Sequence, residues 1–542
     1  MGNLIVIEPI PRPISPISPS SSLMPYRLWP RQIDYEEIKT WITYCKNKHT
    51  NICGSEGKNR IQQLKVIDCD AYLPSDDIKF HSISMDKEYA ALSYVWGKDA
   101  KSKSGENKPP ALVIKDSIEA TKKLGCKYLW VDQYCIDQED KESKQKELQR
   151  MDKIYSQACF TIIAAAGDDS SHGLAGVSAP RDEQKETVQI NDTQFRYLGK
   201  PPREKIDSTT WAKRGWTYQE RFLSRRRIFF TDEQVMFQCN KMTCLESLSI
   251  RMKALAHPKA KAGRVLDDIK WPTTIEEHIM EYSEKELTHD GDSLNAFLGV
   301  LSHFKEKNVC HHFLGNPMPD DKSHMVIAWY HPKPATRVYE FPTWSWTGWR
   351  GSVKFTSRDN PEYRLELSTV TGEIIPVKAY KERHPKPKLK HFIQLTGTVT
   401  DVSFEVINWK CVPEPKPQGL RNGIWAALPV TNDITSYSLF YPDDECLTKK
   451  ENFSLPAMVL EKEKTYTIFL VLQQGNRYYM RAGLIRMPNA TSSKADGGSE
   501  EDKIQPTVYK DAAGRWSRDA PTLDKKDWKW LKGAQKRTFQ VM

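Results

Sequence analysis

No apolar run in this sequence of 542 residues reaches membrane-spanning length. Phe160 to Ala166 and Tyr466 to Leu472 are only strand-sized, against the ~20 residues a helix needs to cross a bilayer. The N-terminus lacks a basic stretch ahead of an apolar segment, so no signal peptide is expected. Its start, Met1-Gly2-Asn3-Leu4-Ile5-Val6, departs from a myristoylation site at Val6. Charge of one sign is also scarce. The 80 basic and 70 acidic residues leave a net +10, too mild at this length to call for a nucleic-acid partner. The 11 cysteines are odd in number and lack the paired spacing of a secreted scaffold, which favours free thiols in a reducing compartment. A cytoplasmic protein without a membrane span is the expectation.

Several catalytic signatures are missing too. Gly57-Lys58, Gly97-Lys98 and Gly199-Lys200 lack the upstream glycine of a phosphate-binding loop, and neither G-x-G-x-x-G nor G-x-S-x-G occurs. These absences argue against an NTPase, a dinucleotide oxidoreductase and an α/β-hydrolase. What is present is a globular composition, with 39% hydrophobic, 10% aromatic and 28% charged residues. That excludes a disordered or collagen-like chain. The length suggests about three or four domains.

The first 34 residues, with Pro9, Pro11, Pro13, Pro16, Pro19, Pro25 and Pro30 and a serine cluster, read as a flexible Pro/Ser-rich tail. Residues 35–84 form an N-terminal helical extension, with Ile38, Trp41, Ile42 and Cys45 at helical spacing. From 85 to 240, strands and helices alternate. Tyr89 to Trp96, Tyr128 to Val131 and Cys159 to Ala164 read as strands; a helix spans roughly 142–158. Asp116-Ser-Ile-Glu119 has the form of a capping box opening a helix that Gly125 stops. This order predicts an α/β fold with a parallel sheet. Residues 168–210 are polar and read as an insertion, and Arg226–Phe230 with Gln234–Cys239 reads as a hairpin around Thr231-Asp-Glu233. Residues 241–340 read as mainly helical, with Asp290-Gly-Asp-Ser293 as an N-cap region. Residues 341–542 read as β-rich, with a flexible linker near 489–505.

Candidate chemistry follows from side-chain spacing. Cys45-x3-His49-x3-Cys53 places a cysteine and a histidine one helical turn apart, as metal ligands require. The set lacks an obvious fourth ligand, Cys69 being the nearest thiol; a helix with a buried Cys remains the alternative to zinc. Cys135 beside Asp132 and Asp137 is poorly placed as a nucleophile, because carboxylates raise a thiol's pKa. Arg225-Arg226-Arg227 reads as a solvated strand or turn rather than a nucleic-acid site, with no aromatic platform following it. In Trp211-Ala-Lys-Arg-Gly-Trp-Thr-Tyr-Gln-Glu220, a helix puts Trp216 and Glu220 on one face. An indole beside a carboxyl desolvates it and raises its proton affinity. The alternative is a core tryptophan, with Glu220 pairing Arg214, Arg221 or Arg225.

Four blocks, Leu92-Ser-Tyr-Val-Trp-Gly97, Leu129-Trp-Val-Asp-Gln-Tyr-Cys-Ile-Asp-Gln138, Met151-x-x-Ile-Tyr-x-x-Ala158 and Arg214-Gly-Trp-Thr-Tyr-Gln-Glu220, closely resemble the fungal heterokaryon-incompatibility (HET) domain. The flanking Cys/His cluster and Pro342-Thr-Trp-Ser-Trp-Thr-Gly-Trp349 resemble segments of large fungal HET proteins, whereas Asp137 stands where the family usually has Asn. The resemblance implies a role in non-self recognition and programmed cell death. Its implied partners are other incompatibility proteins, or further copies of the chain through the HET domain.

HET domains are in turn distantly similar to TIR domains. That likeness implies a TIR-like parallel sheet flanked by helices and possible NAD cleavage, with Glu220 and Trp216 as catalytic residues. It also implies Ser93, Tyr94, Trp96, Gly97, Asp132 and Gln138 as substrate-binding residues. NAD would be the substrate and no cofactor would be required. A non-enzymatic adaptor that recruits partners is the alternative. Residues 168–210 are longer than the usual TIR connection.

Overall fold

The computed structural model describes residues 7–9, 32–54, 61–73, 78–84, 86–97, 110–181, 187–190, 193–197, 202–246, 272–356, 361–462, 466–488, 507–518 and 528–542. The chain divides into two compact units, Met1–Trp271 with Asn295–Val300 and Pro272–Leu294 with Leu301–Met542. No helix among the described residues is long and apolar enough to cross a membrane.

In the first unit, β1 (Ile7–Pro9) precedes α1 (Tyr35–Lys48) and α2 (Thr50–Cys53). The Asp34 carboxylate caps α1, and its Ile38, Trp41, Ile42 and Cys45 are buried. Next come β2 (Gln63–Asp68), β3 (Phe80–Ser84), β4 (Tyr89–Ser93), α3 (Leu112–Lys123) and β5 (Tyr128–Trp130). They are followed by α4 (Asp132–Cys135), α5 (Lys141–Leu148), α6 (Met151–Gln157) and β6 (Thr161–Ala164). The insertion holds β7 (Thr187–Ile190), β8 (Thr193–Tyr197) and α7 (Pro202–Asp207). The unit continues through α8 (Thr210–Lys213), α9 (Gly215–Leu223), β9 (Arg226–Phe230), β10 (Val235–Cys239) and β11 (Thr243–Leu245).

Eight strands form one mixed sheet in the order β11-β10-β9-β6-β4-β5-β2-β3. Its centre is parallel: β4 pairs with β5 and β6, and β6 pairs with β9. The remaining pairs are antiparallel. Counted along the chain, the parallel strands lie in the order 2-1-3-4, so the winding reverses between β4 and β6. In open α/β sheets, such a reversal opens a crevice at the carboxyl ends of the strands. Strands β4, β6, β9 and β10 are buried at every position, as helices covering both faces require. The fold is α/β, as the alternating elements predict, and β9–β10 is the expected hairpin.

Some boundaries differ from the sequence reading. Helix α3 begins at Leu112, so Asp116 lies inside it, where its buried carboxylate accepts from Leu174 N–H at 2.7 Å. An acid-x-x-Glu pattern marks a cap only where backbone donors are free, and here the donor comes from another loop. The Gly125 stop holds: its φ is +81°, and Cys126 N–H reaches back to the Thr121 carbonyl. The 142–158 helix is two helices, interrupted at Gln149–Arg150. Strand β8 pairs with β7 on one side and with β1 on the other. The rest of the proposed tail, 1–6 and 10–31, lies outside the described residues, as do 489–505.

The second unit is built around antiparallel strands. The 19-residue strand Leu389–Ile407 pairs along one part with Phe453–Lys462 and along another with Gly423–Pro429. Pairing continues through Tyr466–Gln474, Tyr479–Pro488 and Ile434–Pro442 back to Gly423–Pro429, closing a ring of strands without a free edge. Both faces are buried. Ile424, Ala426 and Leu428 join one apolar cluster, while Trp425 and Ala427 join another. Residues 272–340 hold helix Ile275–Tyr282 and a hairpin of Cys310–Phe313 and Asn316–Pro319, while helix Leu298–Glu306 begins in the first unit and ends in the second. Trp344 and Trp346 of the tryptophan-rich block are buried, their indole N–H groups donating to the His391 and Gly315 carbonyls.

Arg481 is buried in this unit. It donates to Asp443 at 2.7 Å and to the carbonyls of Ile327 and Trp329, and its guanidinium lies 3.5 Å from the Trp329 ring centroid. Removing one partner of a buried pair strands the other charge, costing about 3–5 kcal/mol. Arg481→Met is therefore expected to destabilise this unit by that order in urea denaturation. The double variant Arg481→Met/Asp443→Leu should recover most of the loss.

Candidate functional site

The site is built at the carboxyl end of β4. Ser93, its last residue, is buried; its hydroxyl donates to Glu220 Oε2 and accepts from Trp211 Nε1 at 2.7 Å. Glu220 is on α9, the helix leading from the third parallel strand to the fourth, and is 5% exposed. Tyr155 on α6 donates to the Leu92 carbonyl at 3.1 Å and also hydrogen-bonds Glu220. A phenol has one proton; when Leu92 takes it, the Tyr155–Glu220 contact is satisfied by a protonated carboxyl.

Electrostatics favour the same state. Burial first, and then the charge of Asp132, push the Glu220 carboxyl up to about 7, against the pull of Ser93, Arg214 and Tyr155. Burial likewise raises Asp132 to about 6, opposed by the Gln133 N–H, the Trp96 indole and Arg214. Asp132 opens α4 directly after β5. Its Oδ2 accepts from Trp96 Nε1 at 2.9 Å and its Oδ1 from Gln133 N–H at 2.7 Å. The Tyr94 hydroxyl donates to Gln133 Oε1 at 2.8 Å, while Arg214 donates to the Tyr94 carbonyl at 3.0 Å. Burial holds both Tyr94 and Tyr155 well above the usual phenol range. Gln138 braces the loop by donating to the Asp132 carbonyl. Gly97 has φ +87°, and a Cβ there would stand 2.8 Å from Asp169; glycine lets these two turns approach.

The structure thus joins Ser93 to Glu220, and Trp96 to Asp132, with Tyr94 and Gln138 holding the surrounding loops. Trp216 is half-buried against the apolar core; the indole in the hydrogen-bonded chain is that of Trp211. Helical spacing singles out Trp216, but the chain breaks between α8 and α9 at Arg214, whose backbone is extended, and that break directs Trp211 to β4. Spacing alone does not single out Trp211 or Tyr155, although each lies in or beside a motif block. An ion pair between Glu220 and Arg221 or Arg225 is not observed. Arg221 pairs with Asp207 at 2.8 Å, and Arg225 donates to the carbonyls of Gln157 and Ala158.

Other candidates resolve differently. Arg226 and Arg227 are buried, not solvated, because β9 lies inside the sheet and their guanidinium groups find carbonyl acceptors. Burial pushes the Cys135 thiol up to about 12, a poor state for a nucleophile. A cavity of about 310 Å³ lies at the amino ends of β4, β6 and β9, lined by Lys46, Glu88, Tyr89, Cys159, Arg225 and Arg226. It is at the end of the strands opposite Ser93. Cys45, His49 and Cys53 come together, and Cys239 at the end of β10 joins them. All four are buried, with their ligand atoms within 4.8 Å of one another. The period-2 pattern of Val235, Phe237 and Cys239 was the available signal, since it sets Cys239 on the sheet face where Trp41 of α1 meets Phe237.

The raised Glu220 carboxyl has a sign that can be measured. A carboxyl whose folded value exceeds its unfolded one takes up a proton on folding, so stability falls as pH rises from about 4.5 to about 7 and then levels off. Replacement by an uncharged amide removes this dependence. Between pH 4.5 and 8, the stability of Glu220→Gln relative to the unsubstituted protein is expected to rise by on the order of 2–3 kcal/mol in denaturant titrations. An unchanged difference across that range would contradict the assignment.

Residues 89–220 match the family described as Heterokaryon incompatibility protein (HET). No curated protein and no solved structure matches the chain. The matched segment begins at the first residue of β4 and ends at Glu220, so it contains three of the four parallel strands and the hydrogen-bonded cluster around Ser93. This match to the HET family over residues 89–220 supports a role in heterokaryon incompatibility.

Proposed function

We propose that this chain is an effector of fungal non-self recognition that promotes programmed cell death, and that its HET domain acts by cleaving NAD at the nicotinamide–ribose bond. The observation that carries this reading is two carboxyls with proton affinities raised by burial near the carboxyl ends of parallel strands where the winding reverses: Glu220, bonded to Ser93 at the end of β4, and Asp132, directly after β5. The resemblance to NAD-cleaving TIR domains adds the Trp216-x3-Glu220 spacing on α9.

The chemistry suits such a site. The C1′–N bond breaks, and its electron pair leaves with nicotinamide, which becomes neutral and needs no proton. The ribosyl group becomes an oxocarbenium-like cation that the ionised form of Glu220, populated as pH reaches its raised value of about 7, stabilises. Water then adds to C1′ and releases a proton, giving ADP-ribose. Glu220 faces the ribose hydroxyls and the developing charge, and half-buried Trp96 and Trp216 supply aromatic walls.

A second reading, a non-enzymatic adaptor that recruits incompatibility partners or other copies of itself, is favoured by the burial of Glu220 and by its bonds to Ser93 and Tyr155. The two readings separate in one assay. The purified full chain, incubated with NAD at several protein concentrations, is expected to release nicotinamide. Glu220→Gln is expected to lower the rate by about 100-fold or more while the protein remains folded. Equal rates in the folded variant would remove Glu220 from the chemistry. Cell death triggered by the chain with undiminished cellular NAD would favour the adaptor.

A further inference from the structure

We propose that Cys45, His49, Cys53 and Cys239 bind one zinc ion in a closed tetrahedral site that fastens the N-terminal helices α1 and α2 to the end of the β9–β10 hairpin. The local structure explains the convergence. His49 sits at the joint between α1 and α2, where the helical hydrogen bonds continue: His49 N–H donates to the Cys45 carbonyl and Cys53 N–H to the His49 carbonyl. Steps of four residues therefore keep all three side chains on one face. Cys239 ends β10 just before the turn through Asn240 and Lys241, which Cys239 N–H closes by donating to Met242 at 2.8 Å.

Zinc geometry makes a quantitative demand on these atoms. Metal–sulfur bonds of about 2.3 Å and metal–nitrogen bonds of about 2.0 Å put tetrahedral ligands roughly 3.8 Å apart between sulfurs and roughly 3.6 Å between sulfur and nitrogen. His49 Nδ1 and Cys239 Sγ are 3.3 Å apart, and the four ligand atoms all lie within 4.8 Å of one another. Three thiolates and an imidazole are a soft donor set suited to zinc. Four buried protein ligands leave no open position, which marks a structural site and not a catalytic one.

The surroundings also suit thiolates. Arg226 Nε donates to Cys45 Sγ at 3.2 Å, the Lys241 N–H to Cys239 Sγ at 3.5 Å, and the Asn240 N–H to Cys53. Such donors orient and stabilise metal-bound sulfur. Three thiolates and a zinc dication carry one net negative charge, which the buried guanidinium of Arg226 balances. Zinc binds cysteines as thiolates, so binding releases whatever protons the three thiols carry. The closed link joins residues 190 positions apart in the chain, so metal binding contributes directly to folding. It does not depend on whether the HET domain cleaves NAD.

The test uses the full chain. Elemental analysis and native mass spectrometry are expected to find about one zinc per chain. Cobalt(II) exchanged into the protein should give the strong visible and near-ultraviolet bands of tetrahedral thiolate coordination. Cys239→Ser and His49→Ala should each lower zinc content or affinity by at least about 10-fold, whereas Cys69→Ser keeps it. A strong chelator should lower the melting temperature of the unsubstituted protein by on the order of 10 °C. The cobalt spectrum and the chelator shift need no variant, so a misfolded mutant does not remove the test. Folded protein without zinc and without tetrahedral cobalt bands would overturn the proposal. So would full zinc content in Cys239→Ser, or a disulfide between two of the three thiols.

Discussion

The hydroxyl of Ser93 is the hinge on which the polar interior of the HET-matched α/β unit turns. It accepts a proton from the Trp211 indole while giving its own to Glu220. A buried carboxyl is costly unless it is neutral or well bonded, and this contact together with Tyr155 makes the position of Glu220 tenable. The same contact ties α8 and α9 to the end of β4. The helices before the fourth parallel strand are therefore held by a polar chain as well as by apolar packing. Gly299 contributes from the opposite side of α9. Its N–H donates to Gln219, and a Cβ there would stand 2.7 Å from the Gln219 and Leu223 side chains.

The two ends of the parallel sheet differ in chemistry. At the carboxyl ends, Glu220 and Asp132 sit within a frame of tyrosines and indoles; burial raises the proton affinity of both, and the charge of Asp132 adds to the rise at Glu220. At the amino ends, Arg225 and Arg226 spend their donors on carbonyls and sulfur, and they line the cavity of about 310 Å³. Arg226 belongs to two features there, the cavity wall and the thiol cluster. One buried cation thus serves both the cavity wall and the cluster that joins the N-terminal helices to the sheet.

Much of this organisation was legible because it follows from local rules. The fully buried strands β4, β6 and β9 read as short apolar runs, the β9–β10 hairpin as alternation around a polar turn, and the Gly125 stop as a residue suited to positive φ. The misreadings share one cause. Asp116 has the spacing of a cap but meets Leu174 from a distant loop. Arg225 to Arg227 have the composition of a surface, but Arg226 and Arg227 lie on an interior strand and Arg225 just before it, all with acceptors in reach. Trp216 has the helical spacing to Glu220, yet Trp211 makes the connection because the helix breaks between them. In each case a partner far along the chain decided which pattern mattered.

The amino-acid order alone determined the alternating α/β framework, the HET-type motif blocks and the pairing of Cys45 with His49 on one helical face, because periodicity and four-residue spacing are properties of adjacent residues. Only the tertiary structure decided that Ser93 meets Glu220 across 127 positions and that Cys239 completes the thiol–imidazole cluster across 190. The reason is geometric. Strand order and helix placement choose which distant side chains share a few ångströms, and linear spacing carries no direct measure of that distance.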